Sequence, residues 1–436
     1  MTNPRRSILV FTFALGLICA IGCTKRTPVE EISVAESNVV VAESRASELE
    51  LAWPEWRGGT QGIATAEVPT NWGGSENIRW EASVPGRGHS SPIVVGNSVI
   101  LGSAIESKEE QLVLAYDRET GDEQWRCVVH SGGFPAKKEV HQKATNANVT
   151  VASDGNALVT ANFNDGRIWV SGLDLQGNIL WQRDVGAFNS KFGYAPSPII
   201  YKSLAIVAAD NRGGGYLAGI DIQTGEIAWR RARGDASSYS SPTIVTSDGQ
   251  AQVVITGGDR MASYSPENGE LLWETECISE ATCGTVVAAG DRIYASGGYP
   301  DRETICLSST GEKIWSSRTK IYEPSLITDG GNVFAVSDDG IAYCWSGDDG
   351  SVLWNKRLGG NFSSSPVISN GNLIVADLSG NQYVLKATGD GFEQVARNRY
   401  GDDCYASPAI AGDAIFFRLG FGSGKDRKEK LVCVGS

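Results

Sequence analysis

A phrase of roughly 40 residues or more recurs along this chain, and such internal repetition constrains the fold more than any other feature of the sequence. A typical copy opens on Ser-Ser-Pro or a similar tripeptide, continues through two apolar runs, and closes on Asp-x-x-Thr-Gly-x-x-x-Trp or a variant of it. The clearest copy begins at Ser90, passes through Gly121 and ends at Trp125. The openings of eight copies fall near Ser91, Ala147, Ser197, Ser241, Gly284, Ser325, Ser365 and Ser407.

The local pattern inside each copy is typical of short antiparallel strands. Alternating runs such as residues 93–101 fit half-buried strands. Thr-Gly and Asp-Gly pairs, for example Thr224-Gly225 and Asp349-Gly350, supply the positive φ that a tight hairpin needs. Spacings of about 40 to 50 residues suit four-stranded units. The sequence therefore predicts an all-β fold, an eight-bladed β-propeller of four-stranded antiparallel blades.

The closing tryptophans indicate how the blades pack and how the ring closes. A flat indole ring can pack between neighbouring blades. The eighth copy ends at Cys433-Val434 without a closing tryptophan, and Trp80 in segment 77–84 supplies it. We therefore expect an N-terminal strand to complete the last blade. Val395 replaces tryptophan in the seventh copy. The predicted blade-docking residues are Trp80, Trp125, Trp181, Trp229, Trp273, Trp315 and Trp354.

The first 22 residues have the pattern of a secretory signal peptide. Two arginines precede an apolar run from Ile8 to Ile21, which is shorter than the roughly 20 residues of a membrane span. The tetrapeptide 20–23 resembles a bacterial lipobox and implies lipidation of Cys23. Ordinary cleavage and an uncleaved anchor remain alternatives. We expect an exported protein, anchored in a membrane and facing the periplasm; Thr24 would favour the outer membrane if enterobacterial sorting applied.

The rest of the chain divides by composition into three segments. Residues 23–50 comprise Cys23 and an acidic segment without aromatic residues, predicted to be a flexible tether, with a short amphipathic helix as the alternative. Residues 51–76 are predicted to be an extension that packs on the propeller, and residues 77–436 the propeller itself. We expect the propeller to be monomeric.

Charge and cysteine content exclude some classes of function. The net charge is −13, and a surface of this sign repels phosphate backbones, so nucleic acid is not an expected partner. Seven cysteines remain outside the leader and Cys23, an odd number that argues against a disulfide framework. A loop disulfide between Cys277 and Cys283 stays an open alternative.

The repeat resembles the tryptophan-docking repeat of pyrroloquinoline-quinone (PQQ) propellers, from about residue 77 to the end of the chain. The lipoprotein plan resembles the BamB family, which implies a non-catalytic scaffold with a protein partner at a membrane. Quinoprotein dehydrogenases of the same repeat type imply PQQ with Ca²⁺ above the propeller axis, beneath two adjacent cysteines. This chain has no adjacent cysteine pair. We expect no cofactor, and PQQ with Ca²⁺ only under the alternative of an oxidoreductase.

No metal centre or catalytic residue is predicted. Asp402 and Asp403 are adjacent acids on one loop, too few for a Ca²⁺ site of six to eight oxygens. The three histidines, His89, His130 and His141, lack zinc-binding spacing.

One set of residues points to a binding site. In six copies an aromatic ring or histidine precedes the proline position by about three residues, in the link that enters the innermost strand. In a propeller these links surround one mouth of the central channel, so the rings should converge there. The predicted mouth residues are His89, Tyr194, Tyr239, Tyr322, Phe362, Tyr405, Arg87 and Asp402.

The mouth permits several functions. Aromatic residues on loops of a rigid scaffold are common in recognition of proteins. A protein partner is the preferred interpretation, a sugar-binding module and a quinoprotein oxidoreductase are the alternatives, and the rings could instead merely brace their own loops.

Overall fold

A computed structural model describes residues 28–44, 47, 49–50, 52–59 and 61–436. The predicted signal peptide and Cys23 lie outside the described residues. Eight antiparallel sheets follow one another along the chain as blades one to eight, and the predicted eight-bladed β-propeller is confirmed. Blade seven carries an additional parallel strand, Ile63–Ala64, which pairs with its innermost strand.

Each blade contributes one strand at each of four radii. The innermost strands, in blade order, are Ile93–Val95, Ala152–Ser153, Ile199–Tyr201, Thr243–Ser247, Val287–Ala289, Ile327–Asp329, Val367–Ser369 and Ala409–Ala411. The second strands are Ser98–Ile105, Ala157–Asn164, Leu204–Ala209, Gln250–Thr256, Arg292–Gly297, Asn332–Val336, Asn372–Ala376 and Ala414–Phe421.

The outer half of each blade is built in the same way. The third strands are Glu110–Asp117, Arg167–Asp174, Gly215–Asp221, Arg260–Tyr264, Glu303–Ser308, Ile341–Ser346, Asn381–Lys386 and Lys428–Gly435. The outermost strands are Glu123–Ser131, Ile179–Ala187, Ile227–Gly234, Leu271–Glu276, Lys313–Ser317, Val352–Arg357, Gln394–Arg399 and, for blade eight, Ile78–Val84. Three short 3-10 helices are Trp56–Gly59, Lys137–Glu139 and Gly424–Asp426.

The ring closes as the sequence predicts. The N-terminal strand Ile78–Val84 pairs antiparallel with Lys428–Gly435, with Trp80 opposite Cys433. The first and last strands of the propeller therefore share one sheet, so the ring cannot open without breaking the hydrogen bonds of blade eight.

A circle of hydroxyl groups joins the innermost strands. The residue two positions before each of these strands is serine or threonine, and its hydroxyl accepts a hydrogen bond from the equivalent backbone N–H of the preceding blade. Seven such bonds, of 2.9 to 3.0 Å, link neighbouring blades. The eight positions are Ser91, Thr150, Ser197, Ser241, Thr285, Ser325, Ser365 and Ser407. Blades two and five thus open at Thr150 and Thr285, where the sequence had suggested Ala147 and Gly284.

The closing tryptophans join the blades at a larger radius. Each indole N–H donates to a backbone carbonyl in the turn before the outermost strand of the next blade, at 2.7 to 3.1 Å. In six of these turns a glycine with positive φ lies directly under the indole ring. The seven tryptophans in these positions are Trp80, Trp125, Trp181, Trp229, Trp273, Trp315 and Trp354.

Trp72 occupies the junction that lacks a closing tryptophan. Its ring packs 5.8 Å from that of Phe417 in blade eight, and its indole N–H donates to the Gln382 side chain of blade seven. Its backbone N–H donates to the side chain of Asn398, also in blade seven. The extension before the propeller therefore supplies the ring that Val395 does not.

Residues 28–44, here named the N-terminal arm, lie against the propeller, where the sequence predicted part of a flexible tether. Ile32 exchanges two backbone hydrogen bonds with Arg230 on the outermost strand of blade three. Val39 is buried in the core between blades three and four. Ala42 then bonds to Ser203 in the first turn of blade three. Val29, Val34 and Val41 also pack on the core, because the propeller offers them an apolar surface, whereas Val40 is 81% exposed.

The seven cysteines of the described part of the chain are all free, and Cys277 is not bonded to Cys283. Cys306, Cys344 and Cys433 are buried opposite docking tryptophans, where they pack as small apolar side chains. Within the residues described, no helix is both long and apolar enough to cross a membrane.

The contact between glycine and indole can be tested in blade three. Gly225 has φ of +71°, and an added Cβ would lie 2.5 Å from the Trp181 ring. Gly249 has φ of +75° and open space around it. We expect Gly249→Ala to cost about 1 kcal/mol for backbone strain alone, and Gly225→Ala about 2–4 kcal/mol because the indole must also move. Thermal unfolding of both variants measures the difference. Equal losses would contradict docking by close packing.

Candidate functional site

The central channel is entered from one face by residues 53–59 and 61–64, here named the channel segment. Trp53 exchanges two backbone hydrogen bonds with Val94 on the innermost strand of blade one. The Pro54 carbonyl accepts from Ser153 of blade two, and the Gly62 carbonyl accepts from Ile368 of blade seven. Innermost strands present unpaired backbone groups to the channel, and this segment satisfies several of them.

Side chains of the channel segment are held inside the ring. Arg57 is 2% exposed, and its guanidinium donates a 3.3 Å hydrogen bond to the Pro366 carbonyl. Burial lowers its pKa to about 9. The Glu55 carboxylate accepts a bond from Ile200 N–H, and burial raises its pKa to about 7. The segment therefore closes the channel at an electrostatic cost.

A cavity of about 530 Å³, here named the cup, opens at the other mouth of the channel. Trp56 of the channel segment forms its inner end, and six hydroxyls of the serine and threonine circle, among them those of Ser91 and Thr285, line it. Nine aromatic or imidazole rings surround it. They are Trp56, His89, His141, Phe192, Tyr194, Tyr239, Tyr299, Tyr322 and Tyr405.

Five of the eight predicted mouth residues line the cup: His89, Tyr194, Tyr239, Tyr322 and Tyr405. They come from five blade-to-blade links that enter innermost strands, which is the geometry the repeat predicts. The His89 and Tyr405 rings are stacked, 4.4 Å apart and 2° from parallel. The Tyr194 hydroxyl donates to the Ala208 carbonyl, so this ring also braces its blade.

Three predicted residues lie elsewhere. Arg87 does not line the cup; its guanidinium lies 5.9 Å from the Tyr405 ring centre. Phe362 is fully buried and packs 5.8 Å from Tyr383, because its backbone N–H bonds to Asp338 and turns the side chain into the core. Asp402 is exposed, and its carboxylate accepts a bond from the Gly422 N–H of the neighbouring hairpin.

Four rings of the cup are not at the predicted offset. Trp56 enters from the channel segment, and His141 belongs to the long insertion between blades one and two. Phe192 lies two residues before Tyr194 and is 37% exposed at the rim. Tyr299 is 63% exposed in a hairpin of blade five. Their positions relative to the repeat differ, so the repeat alone could not identify them.

Charges in the cup are mostly paired. The Lys143 ammonium lies 2.7 Å from the Glu323 carboxylate, which also accepts from the Ser363 hydroxyl. Glu280 pairs with Arg212 at 3.2 Å. Lys191 lies over the Phe192 ring at 4.9 Å. The inner surface of the cup is therefore aromatic and hydroxylic, with its ion pairs toward the links.

Burial keeps three titratable groups of the cup uncharged at neutral pH: His89, Cys283 and Tyr239. Burial, with the nearby Arg87 charge, holds the pKa of His89 well below its usual value. Burial raises the pKa of the Cys283 thiol to about 12, and raises the pKa of the Tyr239 hydroxyl. At neutral pH the cup thus offers uncharged imidazole, thiol and phenol groups, without a ready thiolate nucleophile.

The cup does not match the quinone and metal site that the PQQ resemblance implies. Its two carboxylates, Glu280 and Glu323, are already engaged by Arg212 and Lys143. Of the part of the chain that is described, no group of three or more His, Cys, Asp or Glu side chains is placed to hold a metal ion. The residues that line the cup therefore do not fit PQQ with Ca²⁺.

The buried Glu55 gives a pH-dependent prediction. Its pKa is raised from 4.5 to about 7, so the folded protein holds this proton more tightly than the unfolded chain. The resulting stability is present below pH 4.5 and is lost as pH rises through about 7. We expect Glu55→Gln to become the more stable protein as pH rises from 5 to 8, by up to about 2–3 kcal/mol. Melting temperatures of both proteins across this range test it; a gap independent of pH would show that Glu55 is not buried in the channel.

Comparison with known proteins agrees with this architecture. A BamB protein from Yersinia pestis, named as an outer membrane protein assembly factor, is 23% identical over 361 residues, covering 77% of this chain and 83% of the relative. The crystal structure of BamB from Moraxella catarrhalis superposes with a TM-score of 0.60 at 16% identity, covering 81% of this chain and 98% of that one.

An enzyme shares the fold as well. Quinohemoprotein alcohol dehydrogenase from Comamonas testosteroni superposes with a TM-score of 0.64 at 12% identity, covering 88% of this chain and 80% of that one. At such identities the structural likeness establishes the propeller alone. The family model for outer membrane protein assembly factor BamB matches residues 73–192, 109–308 and 301–396. The chain belongs to the BamB family of eight-bladed propellers.

Proposed function

We propose that this protein is an exported, lipid-anchored propeller that binds and positions a protein partner without catalysing a reaction. The observation that carries the proposal is the convergence of nine rings from several separate segments around one cavity. Rigid scaffolds that present aromatic side chains on loops are well suited to recognition.

The shape and chemistry of the cup favour a peptide segment as ligand. Phe192 and Tyr299 stand exposed at the rim, where a partner could cover them. Tyr239 and Tyr405 lie deeper and are half-buried. Large amphipathic rings bind apolar side chains while their polar edges contact a peptide backbone. We infer that the cup receives an apolar side chain of the partner, with the rim rings closing over the flanking residues.

Export and membrane attachment are part of the same proposal. The leader and Cys23 support it, and the relatives named as outer membrane protein assembly factors support a periplasmic location. An acyl chain contributes about 0.8 kcal/mol per buried CH₂, and a stable anchor needs more than one chain. A diacylated Cys23 would meet that requirement.

We expect the double change Tyr239→Ala and Tyr405→Ala to weaken capture of the partner at least about thirtyfold, because truncation of even one anchoring aromatic costs about 2 kcal/mol or more. Tyr201→Ala with Tyr343→Ala is the matched control, since both are half-buried tyrosines outside the cup. Capture from solubilised membranes and melting temperature are measured on every variant.

A double variant of the cup that melts at a lower temperature yet captures the partner fully would mean that these rings only brace their loops. The alternatives of sugar binding and quinoprotein activity are tested on the same proteins. Binding of oligosaccharide, or dye-linked alcohol oxidation after addition of PQQ and Ca²⁺, lost in the cup variant and kept in the control, would replace the proposal.

A further inference from the structure

The direction in which the chain leaves the propeller limits how the protein can lie on a membrane. Val29 packs on the core of blades two and three, and the Glu30 carbonyl accepts a bond from the Arg230 guanidinium. Ile32 is paired with the outermost strand of blade three. The arm is therefore fixed to the outer rim of the ring from its first described residues.

Covalent geometry limits the distance between Cys23 and the arm. Cys23 precedes Pro28 by five residues. A fully extended chain spans at most about 3.5 Å per residue, so Cys23 lies within about 17 Å of Pro28. If Cys23 carries the lipid, as the proposed function holds, the membrane surface must lie close to the rim of blade three.

Exposed aliphatic pairs flank that rim. Ile179 and Leu180, 40% and 53% exposed, begin the outermost strand of blade two. Leu271 and Leu272, 47% and 51% exposed, begin that of blade four. Blade one carries Glu123 and Gln124 at these positions, and blade six carries a third exposed pair, Val352 and Leu353, far from the arm. The position of the arm therefore selects the pairs of blades two and four. Aliphatic side chains exposed together on a water-soluble surface indicate contact with another apolar phase.

We propose that the protein lies edge-on at the membrane, with the rim of blades two to four against the lipid and the aliphatic pairs of blades two and four in its interface. The inference rests on the proposed anchor at Cys23. The net negative charge offers no attraction to anionic lipid, so the acyl chains and these aliphatic side chains hold the rim.

This orientation has a consequence for the cup. The channel axis is then parallel to the membrane plane, and the cup opens sideways instead of toward or away from the lipid. A partner that enters the cup must approach along the membrane surface. The orientation therefore suits a protein that stands on the same membrane.

The test uses the full lipidated protein in phosphatidylcholine vesicles that carry a quencher on their acyl chains. A fluorophore is attached to cysteine in Leu180→Cys, Leu272→Cys, Leu353→Cys and Gln394→Cys. Leu353 is an equally apolar site on blade six, 43% exposed, and Gln394 is the corresponding residue on blade seven, opposite blade three. We expect quenching at 180 and 272 to exceed that at 353 and 394 by about threefold or more.

Flotation of the same protein with vesicles reports the anchor separately. Flotation with equal quenching at the four sites, or with none at 180 and 272, overturns the orientation and leaves the anchor intact. Absence of flotation overturns the anchor and the orientation together. Cys23→Ala is the reference for flotation without an acyl chain.

Discussion

The circle of hydroxyl-to-amide hydrogen bonds around the channel is the constraint on which the rest of the structure depends. At seven of the eight junctions a backbone N–H donates to a serine or threonine hydroxyl just before the next innermost strand, as from Ser91 to Thr150 or from Ser407 to Ser91. These bonds fix the distance between blades near the axis, and the indole contacts fix it farther out. Because equivalent contacts recur at two radii, they fix the angle between neighbouring blades. That angle sets the width of the channel.

That width determines how the N-terminal residues can be used. The channel admits a single segment, and residues 53–59 and 61–64 occupy it with hydrogen bonds to the innermost strands. Burying Arg57 and Glu55 there has an electrostatic cost, as their shifted pKa values indicate. As a result, Trp56 closes the inner end of the cup, and a ligand meets an aromatic surface there instead of an open pore. The N-terminal extension is thus an integral part of the propeller structure, through the arm, the channel segment and Trp72.

The sequence predicts the structural features that recur from blade to blade, and it does not predict the residues that occur only once. The blades, their closing tryptophans and the strand from the N-terminus recur or complete a pattern, so spacing revealed them. Thr150 and Thr285 were missed because neither is a serine beside a proline, whereas each of the other six openings is. Trp56 reaches the cup from outside the repeat and Tyr299 from a hairpin within blade five. Phe362 shares the repeat offset yet turns into the core. The positions of these side chains depend on the tertiary path of individual loops, which the sequence repeat does not encode.

The most direct test of the central claim, that the cup holds a protein partner, is photo-cross-linking in intact cells. A photoreactive residue replaces Tyr299 at the rim of the cup, and in a second strain it replaces Glu312, an exposed residue in a turn on the opposite face of the ring. The account predicts a discrete protein adduct from position 299 that is absent from position 312. Lack of an adduct at 299, or the same adduct from both positions, would contradict it.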